Sequence, residues 1–319
     1  MRVLVTGGSG FIGTRLASDL VAARHDVVIY DIRPSVHTNV RIIIGDVRDA
    51  AALSAATCNI DAVIHLAAEH RDDVKPISLY YDVNVLGMKN LVEACRTNDV
   101  RRILFTSTVA VYGLNKPHPN EASSPEPFNE YGKTKLEAEG VLNEWGSSLH
   151  NIAVTVRPCV IFGEGNRGNV YNLLRQIHLK RFPMVGSGAN KKSMGYVGNI
   201  SAFLTWSLTN CRNSDLINFA DKPDLTTRDL VRMAREAMAY KGMPPTLPYS
   251  IALAIGNICD AMALAFHVSL PFSSIRVQKF CADTTIDTTK LASLPFRSPV
   301  TIMQALKNTI ESEFLRAQS

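Results

Sequence analysis

The chain has no Cys-x-x-Cys pair, no block of like charge, no internal repeat and no low-complexity linker. Its six cysteines, Cys58, Cys95, Cys159, Cys211, Cys259 and Cys281, are far apart, which argues against both a zinc site and a disulfide framework and for a reducing compartment. No metal is expected. Lys and Arg exceed Asp and Glu by a formal net charge of +5, but they are scattered, so composition does not point to nucleic acid. An acidic diphosphate ligand or an anionic membrane surface suits that charge equally well. The segment Met1–Thr6 lacks the charged, apolar and cleavage regions of a secretory signal, and a cytoplasmic protein is expected.

Long apolar runs are also scarce, with one exception. Residues 247–270 are almost continuously apolar, interrupted by Asn257, Asp260 and His267 and bracketed by Pro248 and Pro271. That length approaches the roughly 20 residues that span a bilayer, yet an aspartate near the middle is costly in hydrocarbon. A buried or cleft-covering helix, a membrane-surface helix at the cytoplasmic face and a true span stay open as readings.

What is present is a chain of 319 residues with 46% hydrophobic content, enough for a large core and more than one compact part. Short β-rich runs at Arg2–Thr6, Asp26–Tyr30, Arg41–Ile44, Ala62–Leu66, Arg102–Thr106 and Ile152–Arg157 alternate with amphipathic stretches. The alternation predicts an α/β fold of the Rossmann type, a doubly wound parallel sheet covered on both faces. After Arg157 the pattern loosens, with helices expected near Asn169–Leu179, Thr226–Tyr240, Tyr249–Phe266 and Val300–Leu315. Residues 1–157 are expected to form a dinucleotide-binding domain and 158–319 a smaller α/β substrate-binding part packed against it or intercalated.

The run Gly7-Gly8-Ser9-Gly10-Phe11-Ile12-Gly13 follows a strand and opens a helix, the context that gives a glycine fingerprint its meaning. Gly7 permits the tight turn, Gly10 lets backbone approach a pyrophosphate, and Gly13 allows close helix packing. Asp31, eighteen residues beyond Gly13, ends the second strand, where a carboxylate binds both ribose hydroxyls of NAD and repels a 2′-phosphate. Arg33 offers an NADP alternative. Asp46-Val47, after the third strand, is positioned either for adenine or as a plain turn.

Tyr131 and Lys135 are four residues apart, on one face of a helix. A lysine cation, aided by a positive nicotinamide ring, favours tyrosinate, so Tyr131 is expected to act as general base. Ser107 and Thr108 follow the fifth strand at the edge where parallel sheets hold ligands, which places the Thr108 hydroxyl to hydrogen-bond a reacting oxygen.

Gly7-x-x-Gly10-x-x-Gly13, His65-Leu66-Ala67-Ala68, Tyr112-Gly113 and Tyr131-x-x-x-Lys135 together resemble the extended short-chain dehydrogenase family of NAD-dependent epimerases and dehydratases. The resemblance implies that Leu66, Ala67, Ala68 and Asn84 line the NAD site, that Lys135 holds the nicotinamide ribose, and that Pro158 lies near the nicotinamide. It implies a homodimer through helices near Leu79–Thr97 and Tyr131–Trp145. Dehydratases of the family follow the threonine with Asp-Glu; here Val109-Ala110 stand there, which points to a 4-epimerase.

The segments around Ala68–Val74, Ser78–Val85, Val111–Lys116, Asn166–Asn172 and Lys192–Ile200 resemble the branch that interconverts GlcNAc and GalNAc on diphospho-undecaprenol for O-antigen and lipopolysaccharide synthesis. Lys192-Ser193 stands where UDP-sugar epimerases usually carry Arg-Asp, and lysine offers a point charge instead of a bidentate fork. Expected substrate contacts are Glu69, His70, Ser107, Arg167, Asn169, Lys192 and Arg276. The alternatives are a UDP-GlcNAc or UDP-glucose 4-epimerase, an NAD(P)H-dependent 4-keto-sugar reductase and a nucleotide-sensing protein without chemistry.

Overall fold

The computed structural model describes all residues except Thr38, Asp72, Asp73, Asn115, His267, 269–272 and 316–319. The apolar segment therefore has His267 and residues 269–270 outside the described part. In chain order the elements begin with β1 (Arg2–Thr6), α1 (Phe11–Ala22), β2 (Asp26–Asp31), β3 (Arg41–Ile44), α2 (Ala50–Ala56) and β4 (Ala62–His65). Then come α3 (Ser78–Tyr81), a π-helical turn (Asp82–Leu86), α4 (Gly87–Thr97), β5 (Arg102–Thr106), a 3-10 turn (Val109–Tyr112), α5 (Glu130–Gly146) and β6 (Ile152–Pro158). The chain continues through β7 (Val160–Phe162), α6 (Asn169–His178), β8 (Met184–Val185), β9 (Lys191–Tyr196), α7 (Val197–Asn210) and β10 (Asp215–Phe219). It ends with β11 (Asp221–Thr226), α8 (Thr227–Ala237), β12 (Thr246–Leu247), α9 (Tyr249–Phe266), α10 (Ser274–Cys281), α11 (Thr289–Ser293), α12 (Ile302–Ile310) and a π-helical turn (Glu311–Leu315).

Two compact units result. The first contains Met1–Ile161, Gly195–Ala220 and Ile286–Val300; the second contains Phe162–Met194, Asp221–Thr285 and Thr301–Ser319. The first unit is built on a seven-stranded sheet in the order β10-β6-β5-β4-β1-β2-β3, parallel throughout. Strand alternation divides its core in two. Val3, Val5, Val27 and Ile29 pack on one face with Leu16 and Leu20 of α1 and Phe203 and Leu204 of α7. Leu4, Val28 and Tyr30 pack on the other with Leu53 of α2, Leu91 of α4 and Leu142 of α5. Both faces being covered, the strands carry near-continuous apolar runs, as buried parallel strands do. β10 and α7 extend this layer with residues beyond 157, a strand and a helix absent from the sequence-based expectation.

In the second unit β11 pairs antiparallel with β9, and α8 packs on α6 and α12. The helix α9 coincides with the expected Tyr249–Phe266, and among the described residues no helix is long and apolar enough to cross a membrane. Its aspartate has a local purpose. Asp260 Oδ2 accepts from the backbone N–H of Ser274 at 3.0 Å and from the Ser274 hydroxyl at 2.5 Å, so its charge sits at the N-terminus of α10, where the helix dipole favours an anion. Gly256 lets the two helices meet: a Cβ there would lie 2.7 Å from Ser274 N. Replacing Asp260 with alanine removes two charge-assisted hydrogen bonds and should cost roughly 1.5–3 kcal/mol in urea unfolding. An unchanged midpoint would show that Asp260 contributes nothing.

Candidate functional site

The glycine run closes tightly on the strand beside it. Gly7 has φ +70°, and a Cβ there would lie 2.6 Å from Ala67 N, so the loop after β1 touches the loop after β4 backbone to backbone. A Cβ at Gly13 would lie 2.5 Å from Gly7 O, which explains why α1 can begin directly over the turn. Gly10 is the N-cap of α1 and offers no side chain to the first-turn amides of Phe11, Ile12 and Gly13. Those amides and the helix dipole form a cradle suited to a pyrophosphate.

Asp31 closes β2 and is nearly buried. One carboxylate oxygen accepts from Ser9 N at 3.0 Å and the other from Arg33 N at 3.0 Å, leaving acceptor capacity on both oxygens for vicinal hydroxyls. Arg33 engages through its backbone. Asp46 is ion-paired with Arg48 at 2.6 Å, and that guanidinium holds its carboxyl below the usual range. Val47 is buried against Gly87. Leu66, Ala67 and Ala68 form the partly buried loop after β4, and Pro158 ends β6. The cradle and the carboxylate together fit a dinucleotide.

Asn84, in the π-helical turn, is fully engaged. Its Oδ1 accepts from Glu69 N at 2.8 Å, and its Nδ2 donates to Glu69 O and Thr134 Oγ1, each at 3.0 Å. A single amide thus clamps the loop after β4 to α5, and π turns recur at such sites. The Glu69 carboxylate bonds Arg71 at 2.7 Å and the backbone N–H of His70 at 3.0 Å; Arg71 holds its carboxyl down at about 2. His70 itself is exposed.

The expected reacting side chains share one neighbourhood. Thr108 Oγ1 accepts from Ala110 N at 3.1 Å, capping the 3-10 turn, and its hydroxyl is close enough to the Tyr131 phenol to favour the phenolate. Ser107 is buried and its Oγ has no hydrogen-bond partner among the described residues, an orphaned hydroxyl at the ligand edge of the sheet. Lys135 is 2% exposed, with Nζ 4.1 Å from the centroid of the Phe105 ring. Burial pushes this ammonium down to about 7, opposed by the Glu139 carboxylate, and pushes the Tyr131 phenol up to about 12, opposed by Thr108. The protein's own groups therefore hold Tyr131 as a phenol. A further positive charge beside it is needed to ionise it near neutral pH.

His65, fully buried, bonds Thr6 through Nδ1 at 2.7 Å and stacks on Phe105. Burial and the neighbouring Lys135 push its imidazole down to about 3, so it stays neutral. The pair Glu139 and Arg157 lies behind Lys135; neither residue was among the expected site residues, although Glu139 repeats the four-residue step from Tyr131 to Lys135.

The other expected substrate contacts lie in the second unit. Arg167 pairs with Glu313 at 2.7 Å and covers the Tyr171 ring. Asn169 is exposed at the start of α6, and Arg276 is exposed on α10. Lys192 donates to the carbonyls of Ala282 at 3.0 Å and Lys279 at 3.4 Å, and burial lowers its pKa. A cavity of about 420 Å³ in this unit is lined by Gly186, Ser187, Asn190, Tyr249 and Gln278, among others.

A lysine lowered to about 7 binds fewer protons in the folded than in the unfolded chain, where its value is about 10.4. Stability from this group therefore rises with pH between those values, and its cost is largest below about 7. Lys135→Met should be more stable than the parent at pH 7, the advantage narrowing toward pH 10. Melting curves across that range that stay parallel would contradict it.

Residues 3–220 match the family described as NAD dependent epimerase/dehydratase. The chain is 46% identical, over 99% of its length and 96% of the relative's, to N-acetyl-alpha-D-glucosaminyl-diphospho-ditrans,octacis-undecaprenol 4-epimerase of Escherichia coli O157:H7. It is 30% identical to 2-alkyl-3-oxoalkanoate reductase of Stenotrophomonas maltophilia, over 88% of this chain and 89% of that one. The solved structure of MoeE5 in complex with UDP-glucose and NAD is similar with a TM-score of 0.78 at 26% identity, covering 100% of both chains. The family match spans the glycine cradle, the Asp31 carboxylate and the Thr108, Tyr131 and Lys135 cluster, and on that ground the chain belongs to the NAD-dependent epimerase/dehydratase family.

Proposed function

We propose that this chain is a 4-epimerase that interconverts GlcNAc and GalNAc on diphospho-undecaprenol. The observation that carries the reading is the meeting of Thr108, Tyr131 and Lys135 at the edge of the sheet that bears the glycine cradle; similarity to the Escherichia coli enzyme supports the substrate. When bound, NAD supplies a hydride acceptor at C4 and, oxidised, a positive ring charge. Inversion at C4 requires one proton to leave and return at O4. Tyr131 is the group placed to carry it, with the Thr108 hydroxyl and the Lys135 cation favouring the phenolate. In this reading Asp31 takes the ribose hydroxyls, the α1 amides take the pyrophosphate, and Ser107 offers its unused hydroxyl to the sugar. Asp46, Val47, Leu66, Ala67, Ala68, Asn84 and Pro158 shape the cofactor's surroundings. Glu69 and His70 border the sugar, and Arg167, Asn169, Lys192 and Arg276 serve the diphosphate side.

Tyr131→Phe removes the proton carrier at almost constant volume, so turnover should fall by about 10²-fold or more while NAD is still bound. With catalytic NAD⁺, the parent enzyme should form GalNAc from GlcNAc-diphospho-undecaprenol and not from UDP-GlcNAc, read as the sugar released by mild acid. GalNAc from the nucleotide alone would make this a UDP-sugar epimerase instead.

The same reading includes peripheral contact with a membrane through 247–270. Ile251, Ile255, Ile258 and Met262 recur at helical spacing on α9 and are all exposed, whereas Ala252 is buried. Between residues 247 and 281 the one carboxylate is Asp260, which is turned to Ser274, while Arg276 and Lys279 add positive charge on α10. An apolar stripe with a cationic border suits an anionic bilayer surface. The protein should float with vesicles containing anionic lipid, and Ile258→Asp with Met262→Asp should leave it in the soluble fraction. Equal flotation of both would refute the contact. The homodimer expected from the resemblance would use α4 and α5, beside which Tyr81 and Leu86 are exposed.

A further inference from the structure

The α5 residues Tyr131, Lys135 and Glu139 are spaced by four and lie along one stripe of the helix. Glu139 is 3% exposed and Arg157, at the end of β6, is 4% exposed. They form a bidentate pair: Arg157 Nε to Glu139 Oε1 at 2.9 Å and Nη2 to Oε2 at 2.5 Å. The guanidinium lies 4.7 Å from the centroid of the Tyr112 ring, and the Tyr112 hydroxyl donates to Asn218 Oδ1 at 2.8 Å. Asn218, on β10, donates through its backbone N–H to Glu121 at 2.7 Å and through Nδ2 to the carbonyls of Pro119 and Asp287 at 3.3 Å. Tyr112 closes the 3-10 turn that Thr108 opens. One network therefore runs from α5 through Arg157 of β6 to Tyr112, at the closing end of the turn that Thr108 opens, and on to Asn218 of β10.

Stability alone does not account for the pair. Two charges removed from water cost several kcal/mol, and a well-packed apolar pair of similar volume commonly serves a core as well or better. What an apolar pair cannot supply is a negative charge one turn from a buried ammonium. Among the described residues, the titratable and charged groups set about Lys135 are Tyr131 and Glu139 on α5 and neutral His65 at the end of β4, with cationic Arg157 of β6 held on Glu139. Phe105, Ser107 and Thr108 from β5 and its following loop carry no charge. Glu139 is the carboxylate of that set.

We propose that Glu139 is a positioning residue: its bidentate pair with Arg157 keeps Lys135 a cation and fixes α5 against the Thr108 turn, so that the three reacting side chains hold one geometry. The inference rests on the catalytic reading of Tyr131 and Lys135 given above. Glu139→Gln should lower kcat at least tenfold with KM within twofold of the parent, and should move the alkaline limb of the kcat profile to lower pH, since Lys135 loses its proton sooner without the carboxylate. Because Glu139→Gln leaves Arg157 buried without its counter-ion, the double variant Glu139→Leu, Arg157→Met restores an apolar fit. It should melt within a few degrees of the parent, bind NAD and show the same loss of kcat and the same shifted limb. A folded double variant with parental kcat and pH profile overturns the proposal. Tyr131→Phe assayed alongside separates the two ideas: its activity would sink the catalytic reading, whereas an inactive Tyr131→Phe beside a fully active double variant sinks only the role of Glu139.

Discussion

The ammonium of Lys135 has surrendered nearly all contact with water, and much of the first unit is arranged around that constraint. An isolated buried cation would shed its proton; here the face of Phe105 and the charge of Glu139 oppose the loss, while His65 next to it is kept neutral. These partners come from three places in the sheet layer: β4, β5 and the far end of the α5 stripe. The position of α5 over the sheet is thus tied to an electrostatic requirement as well as to the packing of Leu142 and Trp145. Loosening the helix would expose the lysine and change the proton affinity of its phenol neighbour in the same movement.

Much of this could be read from residue order. The six early strands were recognisable because parallel strands buried on both faces are apolar runs of β-branched residues punctuated by turns, and each lies within a residue of its expected bounds. β10 is as long as β1 and begins, like it, with a charged residue; it escaped because it lies beyond the regular alternation, after α7, and returns to the first sheet to pair with β6. The glycine cradle and Asp31 were legible because backbone proximity and strand-tip position leave little choice of residue. The Glu139–Arg157 pair was not, since its partners are 18 residues apart and meet only when α5 lies across β6.

In the second unit the sequence identified cations but could not say how they are occupied. Arg167 has a carboxylate and a ring for company, and Lys192 is directed at two carbonyls near the end of α10. A side chain with such partners can still meet an anion, but at the cost of exchanging bonds already formed, and this distinguishes it from a solvated lysine. Asp260 teaches the converse. In sequence it is an anomaly within an apolar run; in the fold it is the acceptor for Ser274 that ties α9 to α10 and leaves one stripe of the helix free of charge.

The clamp made by Asn84 bears on the thermodynamics of recognition. Both backbone polar groups of Glu69 are bonded to one side chain, and the Glu69 carboxylate is bonded in turn to its two successors, so the loop leaving β4 has few conformations left to lose. Fixing a free residue takes about 1–2 kcal/mol of backbone entropy. At residue 69 that loss was incurred when the chain folded, so a ligand arriving at this edge meets a surface already in its final shape and association carries little ordering penalty there.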